Sequence, residues 1–187
     1  MVIQVREKNI EEIQDRLLEM DTELNKINYL ESALKEPGFG YEIKRFLWGE
    51  LSKLYESRAM YDKAASAMSN KASVEITFKE KVNSYITAGE LYSKASRVED
   101  AENMFIRASR EASDEQKNAI RLARKNIYLQ FAKNLEAKGK KATAAKFYEK
   151  LIKMNLESEE KTEIKEKLKK TYNALGLFRE ARLLEGL

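Results

Sequence analysis

Near the amino terminus the apolar positions fall at alternating steps of three and four: Ile10, Ile13, Leu17, Met20, Leu24 and Ile27. That spacing keeps one stripe on one face of a 3.6-residue helix, and it predicts a long amphipathic helix from Val5 to Lys35, within an amino-terminal segment 1–36. The helix is expected to end at Glu36-Pro37-Gly38-Phe39-Gly40, where proline disfavours helix at the residue before it and the glycines permit a turn. Beyond that break the interruptions are short and carry helix-start signals. Thr77-x-x-Glu80, Ser96-x-x-Glu99 and Ser113-x-x-Gln116 each fit a capping box, in which a hydroxyl accepts from the backbone N–H three residues on and the acid or amide returns the bond. Gly139 and Gly176 stand just after helical stretches, where a left-handed residue commonly closes a helix. No linker composition divides the chain, so one domain is expected overall.

Small and aromatic residues recur in a fixed frame. Residues 85–108 read Tyr85-x2-Ala88-Gly89-x2-Tyr92-x3-Ser96-x4-Ala101-x3-Phe105-x2-Ala108. The same frame returns as Tyr128-x2-Phe131-Ala132-x2-Leu135-x3-Gly139-x4-Ala144-x3-Tyr148-x2-Leu151, and upstream as Trp48-x2-Leu51-Ser52-x2-Tyr55-x3-Ala59-x4-Ala64-x3-Met68. A shorter copy, Leu168-x3-Tyr172-x3-Gly176-x-Phe178-x2-Ala181, closes the chain. Small residues are what two helices need where they cross, since their axes approach to about 8–10 Å. Gly89, Ala101 and Ala108 are therefore expected at close approaches, with Tyr85, Tyr92 and Phe105 filling the space beside them.

This frame resembles the tetratricopeptide repeat, whose hairpins carry W-x2-L-G-x2-Y on a first helix and A-x3-F on a second. The first positions, 48, 85, 128 and 165, are spaced by 37, 43 and 37 residues, longer than the usual repeat and more like the irregular repeats of soluble NSF attachment proteins. The resemblance implies an all-α, right-handed superhelical solenoid of about four antiparallel hairpins over 41–187, preceded by the long amino-terminal helix. It also implies a concave face built from first helices and used to hold a partner. Counted from the motif, that face comprises Glu50, Lys53, Thr87, Glu90, Lys94, Asn126, Gln130, Lys133, Lys167, Lys170 and Asn173. A carboxylate clamp of the kind some chaperone adaptors use is matched only by Lys53 and Asn126; Thr87 and Glu90 intrude.

Composition narrows the functional classes. The 187 residues include no histidine and no cysteine, which removes His-based triads, Cys-His metal sites and thiolate chemistry. The glutamates 157, 159, 160, 163 and 166 are interleaved with lysines as i,i+4 pairs, as on a solvated helix face rather than an acid-base site. Nucleotide-binding loops are absent. The expectation is a non-enzymatic interaction scaffold or adaptor, without cofactor, binding a protein or peptide. No apolar run approaches the ~20 residues of a bilayer span, so a cytoplasmic protein without membrane insertion is expected.

Charge supplies the alternative. Residues 117–187 carry 18 Lys/Arg against 9 Asp/Glu, whereas residues 1–116 carry 17 against 22. A nucleic-acid-associated adaptor would use this basic half, with Arg107, Arg110, Arg121, Arg124 and Lys125 near aromatic positions; those aromatics, however, occupy core positions of the frame. Two apolar features remain. The amino-terminal stripe is expected to cap the first repeat in preference to forming a coiled coil. The cluster Leu177, Phe178, Leu183, Leu184 and Leu187 is expected to fold back or to support self-association.

Overall fold

The computed structural model describes residues 5–184, so Leu187 lies outside the described residues. Among the described residues there are ten α-helices and no strand: α1 (Ile10–Leu18), α2 (Glu23–Ala33), α3 (Tyr41–Ser57), α4 (Tyr61–Ser73), α5 (Phe78–Lys94), α6 (Val98–Glu111), α7 (Asp114–Ala137), α8 (Lys141–Ile152), α9 (Ser158–Ala174) and α10 (Phe178–Leu183). The chain divides into two units, Met1–Lys117 and Asn118–Leu187, where the sequence suggested one domain. The boundary falls inside α7, a continuous helix with no linker composition to betray it.

The long amino-terminal helix is two helices. Asn9 caps α1 by accepting from the Glu12 amide, and Thr22 restarts the chain by accepting from the Asn25 amide. The break between them turns the stripe apart. Ile13, Leu17 and Ile27 join the core of the first unit, but Leu24 is 54% exposed and Leu18 80%. The break at Glu36–Gly40 is where the sequence put it, between α2 and α3.

Four turns with one geometry join α3 to α4, α5 to α6, α7 to α8 and α9 to α10. Each pivots on a residue in the left-handed region: Ala59 (φ 56°), Ser96 (φ 61°), Gly139 (φ 72°) and Gly176 (φ 75°). In each, the next amide bonds back five residues, from Met60 to the Tyr55 carbonyl (2.8 Å), Arg97 to Tyr92, Lys140 to Leu135 and Leu177 to Tyr172 (2.9 Å each). The pivot amide itself bonds back three residues, as in a Schellman motif. The second helix begins two residues after every pivot. Ser96 is thus a turn pivot, not the expected cap of α6, whose N-cap is Arg97 without a side-chain bond. Thr77 and Ser113 do cap: each hydroxyl accepts from the amide three residues on, and the Gln116 carboxamide oxygen returns the bond to the Ser113 amide.

A left-handed conformation costs a side chain roughly 1–2 kcal/mol, of which glycine's greater freedom in the unfolded chain takes back about 0.4–1. Ala59→Gly and Ser96→Gly are each expected to raise stability by about 0.5–1 kcal/mol. Denaturant melts showing no gain at either position would contradict this account of the turns.

In the first unit α3 packs on α2 and α4, and α5 on α4 and α6. Alanines 64, 65 and 67 give α4 a small-residue face that is buried. Gly89 lies directly over the fully buried Phe105 ring, the close approach expected there. In the second unit the Tyr128 ring meets Phe147 edge-on with centroids 5.4 Å apart, and Phe131 stacks on the same ring. Lys125 bonds Glu160 at 2.5 Å and Thr171 bonds Glu136 at 2.9 Å. Both links join residues 35 apart, so α7 and α9 run side by side in one direction.

Tyrosine hydroxyls tie neighbouring helices through carboxylates: Tyr55 to Glu31, Tyr148 to Glu136 (2.7 Å) and Tyr172 to Glu149 (2.9 Å). Burial, and then the carboxylate acceptor, hold all three phenols well above the ordinary value of 10.0. Above pH ~10 the unfolded chain releases protons that the folded chain keeps, so the contribution of these groups is complete below that pH and is lost as it rises. Stability is expected to stay level to pH ~9 and fall beyond ~10. Denaturation at a series of alkaline pH values checks this, and Tyr148→Phe should make the fall shallower.

Candidate interaction surface

In the first unit the expected face is carried by α3 and α5. Glu50 and Lys53, one helical turn apart on α3, are paired at 2.5 Å, and Lys53 is exposed. Thr87 is exposed on α5, its hydroxyl donating back to the Asn83 carbonyl at 3.0 Å. Lys94 links the two helices, reaching Glu56 of α3 at 2.8 Å and Glu90 at 3.4 Å. Partial burial lowers its pKa, but the two carboxylates outweigh that and raise it overall. Lys94 therefore stays protonated, fixed at the centre of an acid-base-acid bridge.

A groove of about 540 Å³ lies between α3 and the α4–α5 connection. Phe46, Gly49, Glu50 and Lys53 line one side, Ile76 and Thr77 the other. Its edge is held by Glu75, whose side chain is 4% exposed. Lys71 approaches this carboxylate at 2.9 Å, Arg45 at 3.9 Å, and the Ser84 hydroxyl donates to it at 3.4 Å. Gly49 contributes no side chain, so the aliphatic part of Lys71 lies across it, 3.6 Å from where a Cβ would stand. Apolar side chains at the first helices' amino ends stay in solvent: Tyr41 70%, Phe78 70% and, on the connection, Ile76 75% exposed. Tyr41 and Phe78 are 37 residues apart and open α3 and α5 alike.

In the second unit Asn126, Gln130 and Lys133 are exposed on α7, and Lys170 and Asn173 on α9. Lys167 is half-buried and bonded to Glu163. The Glu163 carboxyl is held below its ordinary range by that bond, by the Lys167 charge and by Lys133, which brings α7 and α9 groups together. The second unit has less of the character of a stacking surface than its charge suggests. Tyr128, Phe147 and Tyr148 are fully buried. Arg121 donates to the Asn155 carbonyl at 2.7 Å, Lys125 is paired with Glu160, and Arg124 lies 5.8 Å over the Tyr128 ring. On α10 Phe178 and Leu183 are exposed; of the residues that flank it, Leu177 is exposed and Leu184 buried.

Among the described residues no three carboxylates converge where a metal ion could be held, and no helix is long and apolar enough to cross a membrane. The repeat frame points to positions on α3 and α5 but singles out neither Arg45, Lys71, Glu75 and Ile76, which line the groove, nor the exposed Phe78. The Lys71/Glu75 spacing of four was the available signal. The exposed apolar residues offered none, because an apolar residue at a helix start reads as core. No family model and no curated protein matches the chain.

Proposed function

We propose that the chain is a non-enzymatic interaction scaffold of tetratricopeptide-like hairpins, cytoplasmic, holding an extended or helical segment of a partner protein against its first helices. The observation that carries this reading is the groove on α3, with a polar side of Glu50 and Lys53 and an exposed apolar side at Ile76. A partner segment with one apolar side chain for Ile76 and mixed charge for the Glu50/Lys53 pair fits it. The four matched turns, spaced 37, 43 and 37 residues, support the repeat architecture on which the reading rests.

Lys53 and Ile76 are both exposed, so Lys53→Glu/Ile76→Asp is expected to fold as the parent does and to lose captured partners from its own cell extract by tenfold or more. A photo-crosslinking residue at position 76 should attach to the same partners. If the double variant kept every partner, the assignment of this face would be wrong.

A further inference from the structure

A cleft of about 400 Å³ opens on another side of α3, between α2 and α4. At about 100° per residue, Trp48, Leu51 and Tyr55 point away from the side that carries Phe46, Glu50 and Lys53, and they form the floor of this cleft. Its size and apolar floor are those of small-ligand sites, which run to ~300–1,000 Å³ with a few polar groups at the edge. One lining residue is small where its counterpart is large. The frame position held by Ala67 on α4 is held by Met104 on α6, where the methionine is buried. The smaller side chain at this place leaves more room in the lining than a methionine would.

The rim is cationic. Lys35 and Lys63 both border the cleft, both are exposed, and neither is in an ion pair among the described residues. Lys63 lies 5.5 Å over the Tyr55 ring. The one carboxylate at the rim, Glu31, is already accepting from the Tyr55 hydroxyl. Two ammonium groups thus face an apolar floor with one occupied carboxylate between them. We propose that this cleft binds a small organic carboxylate with an apolar body, the body against Trp48 and Leu51 and the head group between Lys35 and Lys63. This site is separate from the partner groove and does not depend on it.

Trp48 is the single tryptophan of the chain, so its fluorescence reports on the cleft directly. The probes are decanoate and decylamine, below their micelle-forming concentrations, titrated into the full chain. Decanoate is expected to give a saturable blue shift and decylamine a response at least tenfold weaker. Lys35→Gln/Lys63→Gln, on exposed positions, should weaken decanoate tenfold or more with an unchanged melting temperature. Ala67→Met, which puts a larger side chain into the lining, should abolish the response to both probes. Equal binding of amine and carboxylate, no saturable change with decanoate, or full binding by the double-glutamine variant would overturn the proposal.

Discussion

Replacing Gly89 by alanine is expected to destabilise the protein by about 1–3 kcal/mol, the usual cost of overpacking a filled core. In an exposed helix interior the same change would stabilise by about 1 kcal/mol, because alanine is the best helix former and glycine among the poorest. The sign reverses here because an added Cβ would stand 2.8 Å from Cζ and 2.9 Å from Cε2 of Phe105. Phe105 is fully buried, so its ring cannot swing into solvent to relieve the contact. Either the ring leaves its packed position or α5 and α6 move apart, and both open gaps elsewhere. The cause can be isolated with Phe105→Leu, which removes the atoms that clash. Phe105→Leu alone should destabilise by leaving a cavity, and the double variant should be more stable than the sum of the two losses by at least ~0.5 kcal/mol, the signature of residues in contact. If Gly89→Ala melts at or above the parent, the close approach of α5 and α6 is not what selects glycine.

That contact was legible in the sequence, because a glycine beside an alanine inside an otherwise strong helix has few explanations other than a crossing. The turns were legible in part. Gly139 and Gly176 announce a left-handed residue, whereas Ala59 and Ser96 adopt the same conformation without advertising it and are found only through the frame they share. Ser96 misled, since a hydroxyl three residues before Glu99 looks like a cap, although the turn there leaves the hydroxyl no amide to receive. The break between α1 and α2 hid for a related reason. Four residues, Glu19–Thr22, are close to one helical turn, so the apolar spacing continues across the gap as if the helix did. Thr22 was the signal available. On the candidate surface, composition and frame put Lys94 on the first-helix side, but its pairing with Glu56, 38 residues away, belongs to packing between helices. No local pattern encodes a partner that distant.

The second large effect is expected at Glu136, a residue that no motif singles out. It sits near the end of α7, and its two carboxylate oxygens are taken by different helices: Oε2 accepts from the Tyr148 hydroxyl of α8 at 2.7 Å, and Oε1 from the Thr171 hydroxyl of α9 at 2.9 Å. Thr171 has a second acceptor within reach, the Lys167 carbonyl at 2.8 Å, and can turn to it. Among the described residues Tyr148 donates to no acceptor but Glu136, and its side chain is fully buried. Glu136→Ala is therefore expected to cost about 1.5–3 kcal/mol, the range for a hydrogen bond to a charged group whose loss strands its partner. Glu136→Gln keeps an acceptor oxygen for Tyr148 and should lose less than half as much. The decisive comparison uses Tyr148→Phe. Once the hydroxyl is gone there is no buried donor left to strand, so Glu136→Ala in the Tyr148→Phe background should cost little more than Tyr148→Phe alone. Strictly additive losses in denaturant melts would mean that Glu136 acts through its charge on the surface and not through this bond, leaving the joining of α7 to α8 to apolar packing such as that of the Tyr128, Phe131 and Phe147 rings and to the backbone bonds of the turn.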